Sequence, residues 1–505
     1  MQQDHRSERL RDRMNIFVRD VLEEQTVADI LILPLFEDYP ADIYAGLDII
    51  VKGIISRAIN NKDFTGKHGQ TLLLPVHNIN SSRILLAGLG RRESLSHERT
   101  RQAGSKAFSA ARDMGMSDIA VSTGIFAHIP EGVVFSQKPI FYFLEGGLLG
   151  IYRFNKYKTE ADSGRPKKEI STVTVLDSDK DLPVAWLHAL VSATCLARDL
   201  INTPSNDMTP SAMAKIAKSI SGRRVKVKVL ERSEIEKENM GAYLSVTKGS
   251  DEPPKFIVIE YRGGKGKPLV LIGKSVTFDS GGLDIKPGEG MEKMKYDMAG
   301  GAAVLAVLKA VSELKMPVNV VGILPAVENL IGGSASRPGD VVGTINGKTV
   351  EIISTDAEGR LTLADAIGYA IKYIKPKAII DIATLTGACS MAFGNEAIAM
   401  MGTDAGLMKR LRTASEEAYE RAWPMPLFEE YRDYLKSDIA DIRNVGGRKG
   451  ALACSAVFLK EFAGDTPWVH LDIAGAAWND KERSYSSKGA SGVGVRLLMN
   501  FLKES

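Results

Sequence analysis

The larger, later part of the chain repeats one pattern: a short apolar run, a polar or glycine-rich turn, and a longer stretch with helical periodicity. The apolar runs are KPLVLIG (267–273), VNVVGILPA (318–326), TVEIIS (349–354), KAIIDIATL (377–385) and WVHLDIAG (468–475). Helical periodicity marks residues 299–314 and 363–374. Nearly continuous apolar strands are buried on both faces, as in a mostly parallel sheet covered by helices on both sides. We therefore predict an α/β fold that binds ligands beyond the carboxyl ends of its strands.

The first third of the chain shows the same alternation on a smaller scale. Its segments are DILILPLF (29–36), SRILLAGLG (82–90), a helix-like stretch at 93–115, and DIAVST (118–123). A charged, turn-rich segment at 156–169 precedes one more strand-like run at 171–177. Strands that alternate with helices predict a small α/β domain. We predict an N-terminal domain over 1–180, a linking helix at about 182–201, and a larger α/β domain over 181–505.

Composition restricts the class of protein and its partners. Hydrophobic residues make up 44% of the 505 residues and charged residues 25%, which is typical of a soluble globular protein. The 65 basic and 62 acidic residues leave a net charge of +3, too small to predict a nucleic-acid partner. The first 20 residues lack the apolar core of a secretory signal, and no apolar run reaches the roughly 18 residues of a membrane span. Together with three scattered cysteines, these features predict a cytoplasmic protein without a membrane partner.

Several catalytic motifs are missing from the sequence. The GKS run at 273–275 resembles the end of a phosphate-binding loop, but the glycine which that loop requires five positions earlier is replaced by Pro268. No H-E-x-x-H, C-x-x-C or G-x-S-x-G pattern occurs, which disfavours zincin, thiol-redox and serine-hydrolase chemistry. We interpret His470 as structural, and we favour small core residues over redox-sensitive thiols for Cys389 and Cys454.

Charged residues instead collect in two segments that follow predicted strands. They are Lys274, Asp279, Lys286, Asp297, Asp356, Glu358 and Arg360. Within STDAEGR (354–360), an extended chain would place the two carboxylates and the arginine on one face. Each residue by itself is equally well interpreted as a solvated loop charge or a helix cap. Together, four carboxylates and three cations beside apolar strand ends require mutual compensation or a metal.

The same segments resemble a known family. The matching runs are Gly273–Gly282, Lys286, MKYDMAGG (294–301), RPGD (337–340), TDAEGRL (355–361), DIATLTGA (381–388) and DIAG (472–475). They closely resemble the leucyl aminopeptidase family, the hexameric cytosol aminopeptidases, from about Asn202 to the C-terminus. The first third of the chain shares only the general α/β character of that family.

The resemblance implies that five of these side chains bind two divalent metal ions. They are Lys274, Asp279, Asp297, Asp356 and Glu358. Four carboxylates balance the charge of two divalent cations, and this oxygen-rich set suits Zn²⁺ or Mn²⁺, with Mg²⁺ and Co²⁺ as alternatives. Lys274 can ligate only after its pKa falls from about 10.4 and the amine loses its proton. Such a pair of ions would activate water for attack on the peptide bond beside a free N-terminus.

Two further cations have catalytic roles by the same resemblance. Lys286 would remain protonated and stabilise the oxyanion of the tetrahedral intermediate. The guanidinium of Arg360 cannot act as a base near neutral pH. It would instead hold a bicarbonate ion that shuttles protons, with help from backbone groups of Gly359 and Leu385.

Four more positions match the pocket for the N-terminal side chain of the substrate. They are Met294, Thr384, Thr386 and Gly387. An apolar pocket would favour leucine-like residues, with loose selectivity because one methylene contributes only about 1–3 kcal/mol. The chain departs from the usual family pattern at Ser354, where asparagine is common, and at GASG (489–492), where GATG is common. The first departure puts the residue preference in question.

The expected substrates are peptides with a free N-terminus, and the expected assembly is a homohexamer. Two alternative functions stand beside peptide hydrolysis. Some bacterial relatives bind DNA, and a basic N-terminal surface containing Arg91, Arg92, Arg99 and Arg101 would serve that role here, although the small net charge argues against it. A catalytically dead scaffold is the second alternative, and the presence of every expected site residue argues against that.

Overall fold

A computed structural model describes residues 14–38, 41–159, 169–177 and 181–504. It separates into two units, Met1–Ser192 with Glu482–Ser487, and Ala193–Lys481 with Lys488–Ser505. Residues 160–168 of the charged, turn-rich segment at 156–169 lie outside the described residues. So do residues 1–13, which carry much of the expectation about a secretory signal.

The first unit is built on a six-stranded sheet. Its strands are β1 (Asn15–Arg19), β2 (Ile30–Phe36), β3 (Thr71–Pro75), β4 (Arg83–Gly90), β5 (Asp118–Ser122) and β6 (Thr172–Leu176). Their order is β1-β6-β5-β2-β4-β3, and all neighbours are parallel except the β3–β4 pair. β2 is buried along its whole length because its sequence, ILILPLF, is apolar on both faces. This sheet confirms the predicted α/β character of the first third.

Before residue 160, the part of the chain that the structure describes contains four α-helices. They are α1 (Ala45–Ile50), α2 (Ile54–Asn60), α3 (His97–Asp113) and α4 (Pro139–Gly150). α3 and α4 pack together, and Arg101 of α3 is buried there in an ion pair with Glu145 at 2.8 Å. Arg101 therefore does not belong to an exposed basic surface. The predicted basic surface of Arg91, Arg92, Arg99 and Arg101 is wrong with respect to Arg101.

The second unit contains a nine-stranded sheet. Its strands are β7 (Val225–Leu230), β8 (Lys255–Arg262), β9 (Leu269–Gly273), β10 (Ser275–Asp279), β11 (Asn319–Asn329), β14 (Ala378–Ala383), β15 (Ile398–Gly402), β16 (Ala422–Pro424) and β18 (Trp468–Asp472). The order is β16-β15-β18-β14-β9-β11-β8-β7, and β10 pairs with β11. The central strands β18, β14, β9 and β11 are parallel, whereas β15, β8 and β7 add antiparallel pairs. The sheet is thus mostly parallel, as predicted.

From residue 184 onward, the described residues contain ten α-helices. They are α5 (Val184–Asn202), α6 (Pro210–Ser219), α7 (Arg232–Lys237), α8 (Gly241–Val246), α9 (Ala299–Glu313), α10 (Glu358–Tyr369), α11 (Gly387–Phe393), α12 (Ala405–Ala418), α13 (Ala451–Ala463) and α14 (Val495–Lys503). α9 and α10 both pack on β9, β11 and β14. Residues Val321 and Ile323 share a core cluster with α10, whereas Gly322 between them faces Val304 of α9. Because strand side chains alternate, these two helices cover opposite faces of the sheet.

The predicted strand at 349–354 differs from the structure. Only Thr349–Glu351 is a strand, β13, and it pairs with β12 (Val341–Gly343) and β17 (Ile442–Arg443) in a separate three-stranded sheet. Its flanking residues Thr349 and Glu351 are half-exposed, so the strand has only one buried residue and does not suit the interior of the main sheet. A last pair, β19 (Trp478–Asn479) with β20 (Gly489–Ala490), completes the strands of the described residues.

Helix α5 is long and apolar enough to cross a membrane by length and composition alone. It contains Arg198 and Asp199, and 56% of its most apolar window is buried within the protein. A core helix of a soluble protein passes the same test, so this helix is weak evidence for a membrane span.

Candidate metal centre

The candidate centre is assembled from the ends of strands and the beginnings of helices in the second unit. Lys274 separates β9 from β10, and Asp279 is the last residue of β10. Asp297 lies in the 3₁₀ helix Met291–Met298 directly before α9, and Glu358 is the first residue of α10. All these positions follow strands of the central sheet or begin the helices packed on it, where a parallel sheet places its ligands.

Lys274 connects two of the carboxylates. Its ammonium Nζ lies 2.8 Å from Oδ1 of Asp297 and 2.8 Å from Oε1 of Glu358. The same nitrogen donates to the backbone oxygen of Thr384 at 2.9 Å. All three charged side chains are almost completely buried. A side chain at Gly359 would collide with this lysine, because a Cβ there would lie 2.6 Å from Cε of Lys274.

Lys286 connects the remaining carboxylates. Its Nζ lies 2.8 Å from Oδ2 of Asp279 and 2.5 Å from Oδ1 of Asp356. Asp279, Asp356 and Glu358 each offer a carboxylate oxygen, and these three oxygens all lie within 4.8 Å of one another. Glu358 therefore belongs both to this group and to the group around Lys274. The structure brings all five predicted metal ligands into one connected cluster.

Burial and mutual repulsion change the acidity of these carboxyl groups. Burial and the neighbouring Glu358 raise the pKa of Asp279 to about 6. Burial likewise raises the pKa of Asp356, and it raises that of Asp297 well above the usual range. The pKa of Glu358 is instead lowered, because Lys274 and Lys286 outweigh the effect of burial. In this arrangement Glu358 is the most strongly acidic group of the cluster.

The two lysines are charged in this arrangement. Burial alone would lower the pKa of Lys274, but Asp297 and Glu358 raise it above its usual value. Asp279, Glu358 and Asp356 have the same effect on the pKa of Lys286. A cation that used Lys274 as a ligand would therefore have to displace its proton.

The chemistry of the cluster fits divalent cations. Four carboxylates face only two ammonium groups, which leaves an excess of negative charge at a largely buried place. Oε2 of Glu358 is buried and has no hydrogen-bond partner among the described residues. A buried anionic oxygen without a partner is costly unless a cation or a donor completes its environment. The donor set of carboxylate oxygens and one amine suits the ions that the sequence predicted.

Local structure around Asp356 differs from the extended chain that the sequence predicted for 354–360. Residues 355–356 form a turn, and the helix α10 already begins at Glu358. The helix begins earlier than the predicted 363 because Glu358 and the following residues are all buried and can pack on the sheet. Asp356 and Glu358 nonetheless meet, because the turn and the first helical residue direct both toward Asp279. Alternation along a strand is therefore not the reason for their proximity.

Hydrogen bonds that the sequence did not predict hold this turn. Thr355 donates its backbone N–H to Asp284 Oδ2 at 2.8 Å, and its hydroxyl accepts from the backbone N–H of Asp284 at 2.8 Å. Asn444 holds the preceding residue, since its Nδ2 donates to the backbone oxygen of Ser354 at 2.7 Å. Ser354 Oγ accepts from the backbone N–H of Asp356 at 3.3 Å. An asparagine side chain can make the same local contact, so the serine found here preserves the turn.

Arg360 lies on the first turn of α10 beside the cluster. It is buried, its Nη1 donates to the backbone oxygen of Asn444 at 2.7 Å, and its Nε has no hydrogen-bond partner among the described residues. Burial lowers the pKa of Arg360 to about 10, so the side chain stays cationic at neutral pH. The backbone N–H of Leu385, a predicted anion contact, donates to Asp472 Oδ1 at 3.1 Å in this arrangement.

A cavity of about 460 Å³ adjoins the cluster. Lys286 and Asp356 line it from the cluster, together with the predicted pocket residue Met294. The other lining side chains include Glu289, Met291, Lys293, Tyr296, Ser390, Asn395, Trp478 and Asp480. Lys293 and Asp480 form an ion pair at 2.7 Å. The lining is therefore a mixture of apolar, polar and charged groups, more polar than the apolar pocket that the sequence predicted.

The remaining predicted pocket residues lie between the cluster and helix α11. The hydroxyl of Thr384 donates to Asp297 Oδ1 at 2.7 Å, and that of Thr386 donates to Asp472 Oδ2 at 2.7 Å. Thr386 also caps α11 by accepting from the backbone N–H of Cys389, and Gly387 begins that helix. Both threonine hydroxyls thus bind protein carboxylates, and these residues are not part of the lining of the cavity described above.

Comparison with known proteins identifies similar chains over most of the length. The model of the cytosol aminopeptidase family's catalytic domain matches residues 195–499, and that of its N-terminal domain matches residues 32–161. A probable cytosol aminopeptidase of Geobacter sp. (strain M21) is 43% identical over 97% of this chain and 99% of its own length. Another probable cytosol aminopeptidase, from Geotalea uraniireducens (strain Rf4), is 44% identical over 94% of this chain and 97% of its own length.

Two solved structures are also similar. A mutant of tomato leucine aminopeptidase has a TM-score of 0.86 and 32% sequence identity, with 97% of each chain covered. The bottromycin maturation enzyme BotP in complex with Mn has a TM-score of 0.84 and 32% identity, covering 95% of this chain and 99% of its own.

Proposed function

Because this chain belongs to the cytosol aminopeptidase family and is therefore a metallo-aminopeptidase, we propose that it hydrolyses peptides with two divalent cations held in the second unit. The proposed ligands are Lys274, Asp279, Asp297, Asp356 and Glu358. The observation that carries this proposal is that carboxylate oxygens of Asp279, Asp356 and Glu358 all lie within 4.8 Å of one another, although Asp279 comes from a different segment of the chain than the other two. We propose Mn²⁺ or Zn²⁺, with Mg²⁺ and Co²⁺ as alternatives, and the Mn complex of the similar BotP structure supports a divalent ion.

When bound, such cations would supply Lewis acidity, which polarises a peptide carbonyl and makes water more acidic. The protein side chains would perform the other tasks. Lys286 borders both the cluster and the cavity, and its pKa is raised, so it would present a proton-bearing ammonium to the developing oxyanion. Arg360 is a buried cation whose Nε has no partner among the described residues, so it would hold a bicarbonate ion near the reacting groups, with Gly359 and Leu385 beside it.

The substrate would be a peptide with a free N-terminus. Its first side chain would enter the cavity that Met294 lines. Thr384, Thr386 and Gly387 lie outside that lining, and we keep them as proposed substrate-binding residues on the family resemblance alone. We propose a preference for leucine-like residues with low selectivity, since a methylene difference contributes about 1–3 kcal/mol. The charged residues Lys293 and Asp480 in the lining support that low selectivity, because long polar side chains would also find partners there.

The proposals for cellular location and oligomeric state rest on family membership. We propose a cytoplasmic homohexamer, as is usual among cytosol aminopeptidases. Light scattering of the purified protein should give a mass about six times the 54.8 kDa of one chain. A mass of one or two chains would contradict the hexamer and leave the chemistry unaffected.

The proposed chemistry is tested by turnover of unblocked and N-acetylated leucyl dipeptides before chelation, after chelation and after return of Mn²⁺ or Zn²⁺. We expect cleavage of the unblocked peptide alone, loss of activity on chelation, and recovery with the metal. Activity that survives complete metal removal would contradict the two-cation proposal.

A variant test locates the ligands. Glu358→Ala should lose bound metal and at least about 100-fold in turnover, since it removes an oxygen from the centre of the cluster. Asp365→Asn is the matched control, because Asp365 is a buried carboxylate on the same helix that accepts from the backbone N–H groups of Tyr243 and Ile345. Full metal content and activity in Glu358→Ala would refute the ligand assignment.

A further inference from the structure

We propose that Asn329 is a positioning residue that orients the carboxylate plane of Asp279 toward the cations and holds the two ligand-bearing segments together. Asn329 is the last residue of β11, and the parallel register places it directly beside Asp279 of β10. It is 4% exposed. It ligates nothing in this proposal and would act only through Asp279 and Thr355.

The amide of Asn329 contacts both segments of the centre. Its Nδ2 donates to Oδ1 of Asp279 at 2.8 Å and to the backbone oxygen of Thr355 at 3.1 Å. Both partners are acceptors without a proton when Asp279 is ionised, so the amide nitrogen must face them. Thr355 directly precedes Asp356, another proposed ligand. A single neutral donor thus joins the strand that carries Asp279 to the turn that carries Asp356.

These contacts fix the orientation of the Asp279 carboxylate. Oδ1 accepts from Asn329 and also from the backbone N–H of Gly281 at 2.9 Å. Oδ2 instead faces Lys286, whose Nζ also contacts Asp356. With Oδ1 occupied by two donors, Oδ2 is the oxygen directed into the cluster. Without the amide, the carboxylate could rotate about its terminal bond and turn its plane away from the cluster.

The surroundings leave Asn329 little freedom. Its backbone oxygen accepts from the backbone N–H of Ser280 at 2.9 Å and from the hydroxyl of the same residue at 2.8 Å. A Cβ at Gly282, which has a φ of +65°, would lie 2.9 Å from Oδ1 of Asn329. The absence of a side chain at this glycine therefore lets the loop close over the amide. The amide is held in place on the side away from the cations.

The inference rests on the proposed metal centre and is tested by Mn²⁺ affinity. Asn329→Leu keeps the branched shape of the side chain, with more bulk, but removes the donor, and Asn329→Ala removes the donor without adding bulk. Asn319→Leu is the matched control, because Asn319 begins the same strand and its amide also binds two backbone groups, Gly264 N–H at 3.1 Å and Gly266 oxygen at 2.9 Å. Calorimetric titration of each metal-free protein with Mn²⁺, with thermal unfolding measured alongside, separates affinity from stability.

We expect either folded Asn329 variant to bind Mn²⁺ about 10–100-fold more weakly than the wild type, while Asn319→Leu binds it within twofold. Because positioning acts through the cation, excess Mn²⁺ should restore part of the lost kcat. An unchanged Mn²⁺ affinity in a folded Asn329 variant would overturn this inference alone. Equal weakening in Asn319→Leu would also overturn it, as a general loss of stability. A wild-type protein that binds none of Mn²⁺, Zn²⁺, Co²⁺ and Mg²⁺ would overturn the proposed centre as well.

Discussion

The ammonium of Lys274 lies 2.8 Å from Oε1 of Glu358, so a lysine between two strands is paired with the first residue of a distant helix. Both side chains are buried, and the lysine also pairs with Asp297. This ammonium thus provides positive charge to both buried carboxylates. Two of the predictions below concern the exchange of its proton for a metal ion.

The first prediction concerns stability without metal. Lys274→Met should destabilise the metal-free protein by about 3–5 kcal/mol at pH 8, because it leaves buried carboxylates without their cation. The pKa of Asp297 is already raised by burial, and loss of Lys274 would raise it further. A carboxyl group with a raised folded-state pKa favours folding as the pH falls, so the variant should regain stability between pH 8 and pH 5. Denaturant unfolding over that range measures both effects.

The control for this variant is Lys309→Met. Lys309 pairs with Glu313 on the surface of α9 at 2.6 Å, and such exposed pairs contribute less than about 1 kcal/mol. A comparable loss of stability in both variants would show that the burial of Lys274 is unimportant.

The second prediction concerns metal affinity and pH. Lys274 must lose a proton to ligate, and its pKa is raised by Asp297 and Glu358. Asp279, with a pKa of about 6, also binds a proton increasingly below that pH. Mn²⁺ affinity should therefore rise with pH by up to about tenfold per unit for each proton displaced, most steeply below pH 6. Calorimetry in buffers with different ionisation enthalpies counts the protons released, and an affinity independent of pH would contradict the involvement of Lys274.

The third prediction separates Arg360 from the metal ligands. Arg360→Ala should lower turnover about 100-fold or more, the range expected for a lost proton-transfer function, while the metal content stays unchanged. Added bicarbonate should stimulate the wild type that has been depleted of it and should not stimulate the variant. Loss of metal in Arg360→Ala would instead indicate that the arginine mainly supports the structure of α10.

The fourth prediction concerns the close approach of Gly359 to Lys274. Replacing glycine by alanine inside a helix ordinarily stabilises by about 0.5–1 kcal/mol. Gly359→Ala should do the reverse and weaken Mn²⁺ binding, since the new methyl group would lie 2.8 Å from Nζ of Lys274, whose position is held by three partners. Gly46→Ala is the control, because no atom lies within 4 Å of a Cβ at that helical position. Thermal unfolding of both variants tests whether Gly359→Ala lowers stability while Gly46→Ala raises it, and Mn²⁺ titration tests whether only Gly359→Ala weakens binding.

Much of the fold was accessible from local patterns. The apolar runs at 267–273, 318–326, 377–385 and 468–475 coincide with β9, β11, β14 and β18, which are the parallel centre of the sheet. These runs are recognisable because burial on both faces requires uninterrupted apolar residues. The run at 349–354 has a similar composition but belongs to a small separate sheet. It pairs with the nearby β12 and with β17, and β17 is distant in sequence and leaves no trace in the periodicity of the run.

By itself, the sequence determined which residue types would provide the chemistry, because carboxylates and lysines next to apolar strand ends stand out in any linear pattern. Only the tertiary structure decided how they meet: Glu358 reaches Lys274 from the start of a helix, Thr384 and Thr386 direct their hydroxyls to protein carboxylates, and Asn329 lies beside Asp279. The physical reason is the distance along the sequence between the residues that meet. Periodicity reports on neighbours within about one helical turn, whereas these contacts join segments that become neighbours only when strands pair and helices pack on them.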